Sequence, residues 1–143
     1  MSIPGFPERP SGVHSMFHDH SEEAMKYLCL VYQEERGALI IPKEEMEMAM
    51  AEYRAFSDDI KKSGHLLGSN GLQHTNTATT VRVRNGKLST TDGPFAETKE
   101  QLGGYFLIEA KDLNDAIQVA ARIPSARWGS IEVRPIWGET STR

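Results

Sequence analysis

Two short segments of the chain carry apolar side chains at consecutive positions. The first is Lys26–Tyr32 and the second is Gly104–Ala110. Successive side chains of a strand point to opposite faces, so these segments are apolar on both faces. A strand of this kind is typical of the centre of a sheet that is buried on both sides. The pattern therefore predicts two central strands.

Two other segments carry the three- and four-residue spacing of an amphipathic helix. The longer one is predicted over Pro42–Ser63, because proline suits the first helical position and Gly64 is a natural stop. The shorter one begins with Asp112 as N-cap and ends at Pro124. The predicted buried stripes are Met46, Ala49, Met50, Tyr53, Phe56 and Ile60 in the first helix, and Leu113, Ala116, Ile117 and Ala120 in the second.

The remaining strands are predicted from alternation and turn signals. Asn85-Gly86 predicts a tight hairpin, since both central residues of a type I′ turn need a positive φ. In the strand before this turn, Val81 and Val83 are predicted to face inward. Pro135 marks the last strand as a sheet edge. These four strands are Leu66–Gln73, Ala78–Arg84, Lys87–Thr91 and Ser130–Ile136.

The order of these elements predicts an α+β fold of the ferredoxin-like type, a split βαβ with an added hairpin. Two helices cover only one face of a four-stranded sheet, and the central strands are apolar on the other face too. An uncovered apolar sheet is a large exposed patch. We therefore expect a second copy of the chain to cover it, sheet against sheet, in a symmetric homodimer.

Length and composition indicate one soluble domain. The chain has 143 residues and a mass of 16.0 kDa, which is typical of a single domain. Residues 1–24 contain three prolines and no apolar period, so they are predicted to be an irregular N-terminal extension. Residues 25–143 are predicted to form the folded domain.

Charge and cysteine content exclude several classes of function. Acidic residues outnumber basic ones by 20 to 16, giving a net charge of −4, which argues against direct binding of nucleic acid. A single cysteine, Cys29, excludes an internal disulfide and a cysteine zinc site. No apolar run reaches the ~20 residues that cross a bilayer, and no secretory signal pattern is present. We expect a cytoplasmic protein without contact to a membrane.

The loop Asp92-Gly93-Pro94-Phe95 is the leading candidate for chemistry. In one interpretation it holds Asp92 at the mouth of a cleft as a general base, with its neighbours in contact with substrate. In the other it is a turn, because aspartate and glycine favour turns, Pro94 fixes φ and Phe95 packs beneath. Both interpretations remain open.

Five further side chains are candidates, each with a structural alternative. Tyr53 either hydrogen-bonds a ligand in the catalytic cleft or is a core aromatic. His65 is either a catalytic acid or base or a structural histidine after the helix stop. Arg82 and Arg84 either clamp an anionic ligand or occupy an exposed strand face. Glu97 either orients a charged substrate or belongs to a solvated surface.

No metal or cofactor is expected. The chain has no phosphate-binding glycine loop and no dinucleotide fingerprint. Four side chains near the N-terminus are metal ligands by type, but they lie in the proline-rich extension and are interpreted as a polar tail. They are His14, His18, Asp19 and His20.

The segment TDGPFAETKEQLGGYFLIEA, Thr91–Ala110, resembles the DGPF family of the YCII-related superfamily. The resemblance extends over Met25–Trp137, from MKYLCLVYQEE to GSIEVRPI. It implies a ferredoxin-like protomer in a dimeric α+β barrel, with the usual start of the family at Met25. Members of the superfamily include a ring-dechlorinating enzyme of aromatic degradation that is thought to use a His–Asp pair. DGPF proteins are often encoded beside, or fused to, extracytoplasmic-function sigma factors.

One departure from that resemblance bears on function. In the relatives the candidate catalytic histidine lies on the first helix, at a position near Tyr53, whereas Pro42–Ser63 contains no histidine.

The sequence supports two hypotheses about function. The first is a small-molecule site or a cofactor-free acid–base enzyme of isomerase or lyase type, with Asp92 as base and Tyr53, His65 or an arginine in support. The alternative is a non-catalytic regulatory or binding module with a sigma factor as partner.

Overall fold

A computed structural model describes residues 24–35 and 41–138 of the chain. The N-terminal histidines and Asp19 lie outside these residues. The helices are α1 Lys43–Lys62 and α2 Leu113–Ala121, with 3-10 turns at Thr75–Thr77 and Pro124–Arg127. The strands are β1 Met25–Gln33, β2 Leu66–Gly71, β3 Thr79–Arg84, β4 Lys87–Asp92, β5 Gln101–Ala110 and β6 Ser130–Pro135.

Four of the strands form one sheet in the order β2-β5-β1-β6, with every neighbouring pair antiparallel. The two strands predicted to be central, β1 and β5, are central, and β6 with its Pro135 is an edge strand as predicted. Cys29 marks the middle of the sheet, since it pairs with Phe106 on one side and Val133 on the other. This α+β architecture is compatible with the ferredoxin-like arrangement.

The core lies between one face of this sheet and the two helices. Alternate residues of β1 and β5 are buried there, and Phe56 of α1 packs edge-on against Phe106 with ring centroids 5.2 Å apart. Burial raises the pKa of the Cys29 thiol to about 11, so this cysteine is a packing residue in the protonated state.

The predicted stripe of α1 is buried only in its C-terminal half. Phe56 and Ile60 are buried, whereas Met46 and Met50 are 44% and 53% exposed, so the prediction for these two methionines is wrong. The buried residues of α1 are Phe56 and Ile60, so its N-terminal half packs little on the core. In α2, Leu113 and Ile117 are also exposed, and Val119 is buried in their place.

β3 and β4 form a separate two-stranded hairpin, which we call the arm (residues 79–92). Positive φ angles of 54° at Asn85 and 75° at Gly86 confirm the predicted turn. Val81 and Val83 are 58% and 60% exposed, so the prediction that they face inward is wrong. The physical reason is that the arm pairs only with itself and adds no layer to the main sheet.

The open face of the main sheet is less exposed than its pattern predicts. Its apolar side chains on β1 and β5 are all half-buried, and the most exposed apolar residues of the described chain lie elsewhere, at Met48, Leu88 and Phe95. The half-buried residues of this face are Leu28, Leu30, Tyr32, Tyr105 and Leu107. Neither α1 nor α2 is long and apolar enough to cross a membrane.

Candidate functional site

The turns at one end of the sheet bring His65 and Asp115 together. Gly64, with φ 85°, ends α1 and allows the chain to turn directly into β2, so His65 is held at the corner. Its carbonyl accepts a hydrogen bond of 2.8 Å from the backbone N–H of Glu109, which fixes this corner beside the end of β5. His65 Nε2 lies 3.1 Å and 3.2 Å from the two carboxylate oxygens of Asp115, in the first turn of α2.

Asp115 is held as a carboxylate. The backbone N–H of Lys111 donates to its Oδ2 at 3.0 Å, and this bond lowers the pKa of the carboxyl group most strongly. Partial burial raises the pKa of this carboxyl group. The hydrogen bond and charge of His65 lower it further. An ionised carboxylate only accepts hydrogen bonds, so His65 Nε2 must carry the proton of this contact.

Ser63 contacts the other nitrogen of the same ring. Its Oγ lies 2.7 Å from His65 Nδ1 and 3.2 Å from the carbonyl oxygen of Ile60. With a neutral ring, the Ser63 hydroxyl donates to Nδ1. With a protonated ring, Nδ1–H donates to Oγ, and the hydroxyl turns to the Ile60 carbonyl. The site can thus gain or lose a proton at Nδ1 without moving a heavy atom.

Two carboxylates, Asp112 and Asp115, lie at the start of α2. Asp112 caps α2, because its side chain accepts a hydrogen bond of 2.8 Å from the backbone N–H of Asp115. Burial raises the pKa of the Tyr27 hydroxyl, and the charges of Asp112 and Asp115 raise it further.

Tyr53 lies in a different place and bonds within the protein. Its hydroxyl hydrogen-bonds to Oγ of Ser125, a residue that is 1% exposed. Ser125 in turn donates to Gln33 Oε1 at 2.7 Å, and Trp128 Nε1 donates to that same oxygen at 3.1 Å. Tyr53 also lines a cleft of about 510 Å³ beside α1. The other lining residues are Ala49, Met50, Arg54, Ser57, Asp58 and Gly71.

The loop after β4 is fixed by its backbone. Gly93 has φ 105°, which few residues other than glycine adopt. Its N–H donates to the carbonyl of Ala78 at 2.8 Å, and its carbonyl accepts from Thr80 Oγ1 at the same distance. Phe95 does not pack beneath the loop: it is 80% exposed, and the Arg82 guanidinium lies 5.8 Å from its ring centroid.

The candidates chosen from the sequence therefore occupy three separate places. Asp92 is exposed on the arm, and among the described residues no hydrogen bond or ion pair joins it to Tyr53 or His65. Glu97 is also exposed, and Arg84 donates to the carbonyl of its neighbour Val83, at 3.3 Å. Within residues 24–35 and 41–138, no three His, Cys, Asp or Glu side chains are placed to share a metal ion.

Sequence reasoning identified His65 but not its two partners. From the sequence, Asp115 is predicted only to lie in the first turn of a helix, and Ser63 only to be the last residue of a helix. His65 and Asp115 are 50 residues apart along the chain, and no local pattern reports such a contact. The Ser63-Gly64-His65 sequence at a helix end was the one available signal for Ser63.

Comparisons with known proteins place the described domain in context. The model of the YCII-related domain matches residues 25–140. An uncharacterized protein of Rhizobium meliloti (strain 1021) is 38% identical over 114 residues, which is 78% of this chain and 92% of that protein. Neither description names an activity.

Proposed function

The chain belongs to the YCII-related family, and from that premise we propose that it transfers a proton on a small molecule without a cofactor, with His65 as the acid–base group. One observation carries this proposal: His65 is held between the Ser63 hydroxyl and both carboxylate oxygens of Asp115. Histidine is the side chain whose ordinary pKa lies nearest neutrality, and a base fixed by a carboxylate is a recurring catalytic arrangement.

In the proposed reaction the neutral ring of His65 accepts a proton at Nδ1, directly from the substrate or through the exposed hydroxyl of Ser63. Asp115 keeps Nε2 protonated and stabilises the imidazolium that forms. The same Nδ1–H then returns the proton to another atom of the substrate, which completes an isomerisation, or to a leaving group, which completes an elimination. A positioned acid–base group of this kind accelerates a reaction by about 100- to 10,000-fold.

The charges around the pair favour a carboxylated substrate. Lys61 and Lys62 form the last turn of α1 directly before Ser63, and Lys111 precedes α2 on the other side. All three side chains are exposed. Positive charges near the pair attract an anionic ligand toward the ring nitrogen.

The proposal is tested by hydrogen–deuterium exchange of substrate protons in D2O, followed by NMR. The compounds are aromatic acids, lactones and halogenated phenols. We expect wild type to accelerate exchange or conversion of at least one compound and His65→Gln to lose about 100-fold or more of that rate. His74→Gln, which changes an exposed histidine in a loop, is the matched control and keeps the rate. Equal rates in wild type and His65→Gln contradict the proposal.

Within the family, we propose that the chain is a member of the DGPF group, on the sequence of residues 92–95. A catalytic or anchoring role for Asp92 stays a prediction, as do ligand contacts of Gly93, Pro94, Glu97 and the arginines of the arm. The regulatory alternative, with a sigma factor as partner, also stays a prediction.

We also propose that the active form is a homodimer in which the open faces of two main sheets pack together as a dimeric α+β barrel. The support is the row of aliphatic and aromatic side chains on that face, centred on Leu30 and Tyr105. Packing of this row against its own copy removes apolar surface from water without exposing backbone groups.

A further inference from the structure

The cleft of about 510 Å³ lies along one side of α1. Its lining residues on this helix recur at three- and four-residue spacing, so they share that side. They are Ala49, Met50, Tyr53, Arg54, Ser57 and Asp58. Gly71, the last residue of β2, lines the cleft from the main sheet. His65, Ser63 and Asp115 do not line it, so the cleft is separate from the acid–base pair.

The glycine at position 71 leaves the cleft open. A Cβ atom at this position would meet no other atom within 4 Å. Gly104, its partner across the sheet, is different, since a Cβ atom there would lie 2.9 Å from the carbonyl oxygen of Asn70. Close backbone packing therefore requires a glycine at position 104. At position 71 the missing side chain leaves space that a ligand can occupy.

The Tyr53 ring forms a fixed apolar wall. It lies parallel to the Phe106 ring, with centroids 6.3 Å apart, and its hydroxyl is hydrogen-bonded to Ser125 Oγ. The direction of this hydrogen bond follows from the neighbouring groups. Gln33 Oε1 can only accept, and it takes the protons of Ser125 Oγ and Trp128 Nε1. Ser125 then has no proton for Tyr53, so Tyr53 donates to Ser125 and its proton is not available to a ligand.

Polar recognition in the cleft therefore depends on Arg54, Ser57 and Asp58. Within residues 24–35 and 41–138, no ion pair engages Arg54 or Asp58. The two are four residues apart on α1, which places their Cβ atoms about 5–6 Å apart. A guanidinium binds a carboxylate through two parallel hydrogen bonds, and a carboxylate accepts charge-assisted hydrogen bonds from an ammonium group. The cleft thus offers one partner for each charge of a zwitterion.

From this arrangement we propose that the cleft binds an α-amino acid with an apolar side chain. Its carboxylate contacts Arg54, its ammonium group contacts Asp58, and its side chain packs on Tyr53 and Met50, whose thioether adapts to an aromatic or branched group. The two charged groups of an α-amino acid are attached to one carbon, which suits two side chains one helical turn apart. Asp58 disfavours a ligand with only a negative charge, and Arg54 disfavours one with only a positive charge.

This binding site goes beyond the proposed proton transfer and does not depend on it. Binding is measured without turnover and at residues other than His65 and Asp115. An absence of binding therefore contradicts only the site in the cleft, and an absence of proton exchange contradicts only the proposed reaction.

The test is NMR titration of the full-length, ¹⁵N-labelled protein with three compounds that share one phenyl group. Phenylalanine carries both charges, 3-phenylpropionate only the carboxylate, and phenethylamine only the ammonium group. We expect saturable shifts at the amides of Tyr53 and Gly71, with phenylalanine bound about fivefold more tightly than either analogue, since each exposed charge contributes modestly.

Two variants assign the charges. In Arg54→Gln the advantage of phenylalanine over phenethylamine is expected to disappear. In Asp58→Asn its advantage over 3-phenylpropionate is expected to disappear. Lys61→Gln and Glu45→Gln are the matched controls, because both side chains are exposed on the same helix and neither lines the cleft. The controls should keep the wild-type order of affinities.

Gly71→Val fills the cleft and is expected to abolish the shifts caused by phenylalanine, with folding verified by a circular dichroism melt. If this variant does not fold, the two charge variants carry the test alone. Equal affinities for the three compounds, an absence of saturable shifts, or shifts confined to residues away from the cleft would each overturn the proposal. A folded Gly71→Val that binds phenylalanine like wild type would overturn it as well.

Discussion

Asp115 is the residue at which the polar contacts of its end of the molecule converge. It accepts from the Lys111 backbone and from His65, while its own N–H is bonded to Asp112. The hydrogen bond from the backbone N–H of Lys111 stabilises the carboxylate in the folded protein, independently of any catalytic role. The hydrogen bond from His65 Nε2 to the carboxylate selects the tautomer of the ring, so that Nδ1 faces the hydroxyl of Ser63.

The lowered pKa of Asp115 predicts a specific loss of stability in acid. The folded pKa lies below the ordinary value of 3.8, so the stabilisation is complete above that value and is lost as the pH falls through the folded pKa. Asp115→Asn removes the charge and is expected to lower the free energy of unfolding at pH 7 by about 1 kcal/mol.

Denaturant unfolding at pH 7 and at pH 3 or below measures this effect. The difference in free energy of unfolding between wild type and Asp115→Asn should become smaller in acid. Wild type then loses the charge on Asp115 as well. Asp58→Asn, on the exposed side of α1, is the control and should show no such change. If this difference in unfolding free energy stays constant with pH, the ionised carboxylate of Asp115 does not stabilise the fold.

At the scale of elements, helix ends and strand lengths decide what is buried. α2 begins at a side-chain cap and presents Ala116, Val119 and Ala120 to the core. α1 has no side-chain cap at its start, and its first half is mostly exposed. The arm is an element of a different kind, with local hydrogen bonds but no core of its own.

The cap of α2 supplies a prediction at this scale. Asp112→Ala leaves the N–H of Asp115 without its partner and is expected to cost about 1 kcal/mol of unfolding free energy. Thermal or denaturant unfolding measures the loss, with Asp58→Ala inside α1 as a control that should change stability little. If both variants are equally stable, the cap contributes nothing and the helix start depends on packing alone.

At the scale of the whole molecule, a self-contact is proposed through the open face of the main sheet, centred on Leu30 and Tyr105. The helices pack on the opposite face of the sheet, so α1 and α2 lie outside this contact.

The sheet contact is tested by Leu30→Lys, which puts a charge in the middle of the open face. We expect wild type to show at least a dimer by light scattering at micromolar concentration and the variant to lose that contact, because an unpaired buried charge is costly. Leu67→Lys, at an exposed site of β2, is the control and should keep the wild-type mass. A monodisperse wild-type monomer is the outcome that excludes this dimer.

Much of the fold could be predicted because its signals are local. The Asn85-Gly86 turn, the Asp112 cap and the Gly64 stop each depend on a few neighbouring residues, and all three were confirmed. The inward side of α2 was predicted only in part, since a helix of 9 residues shows its period through few positions. The contact of His65 with Asp115 could not be predicted, because it depends on how elements 50 residues apart pack.

The sequence by itself determined the order of strands and helices, the two central strands and the positions where helices start and stop. Backbone hydrogen bonding and side-chain periodicity are properties of short segments, and the pattern of residues records them directly. Only the tertiary structure decided that the hairpin stands apart, that Met46 and Met50 stay exposed, and that His65 meets Asp115. These outcomes depend on relative lengths and contacts of elements distant in the chain, which no short segment encodes.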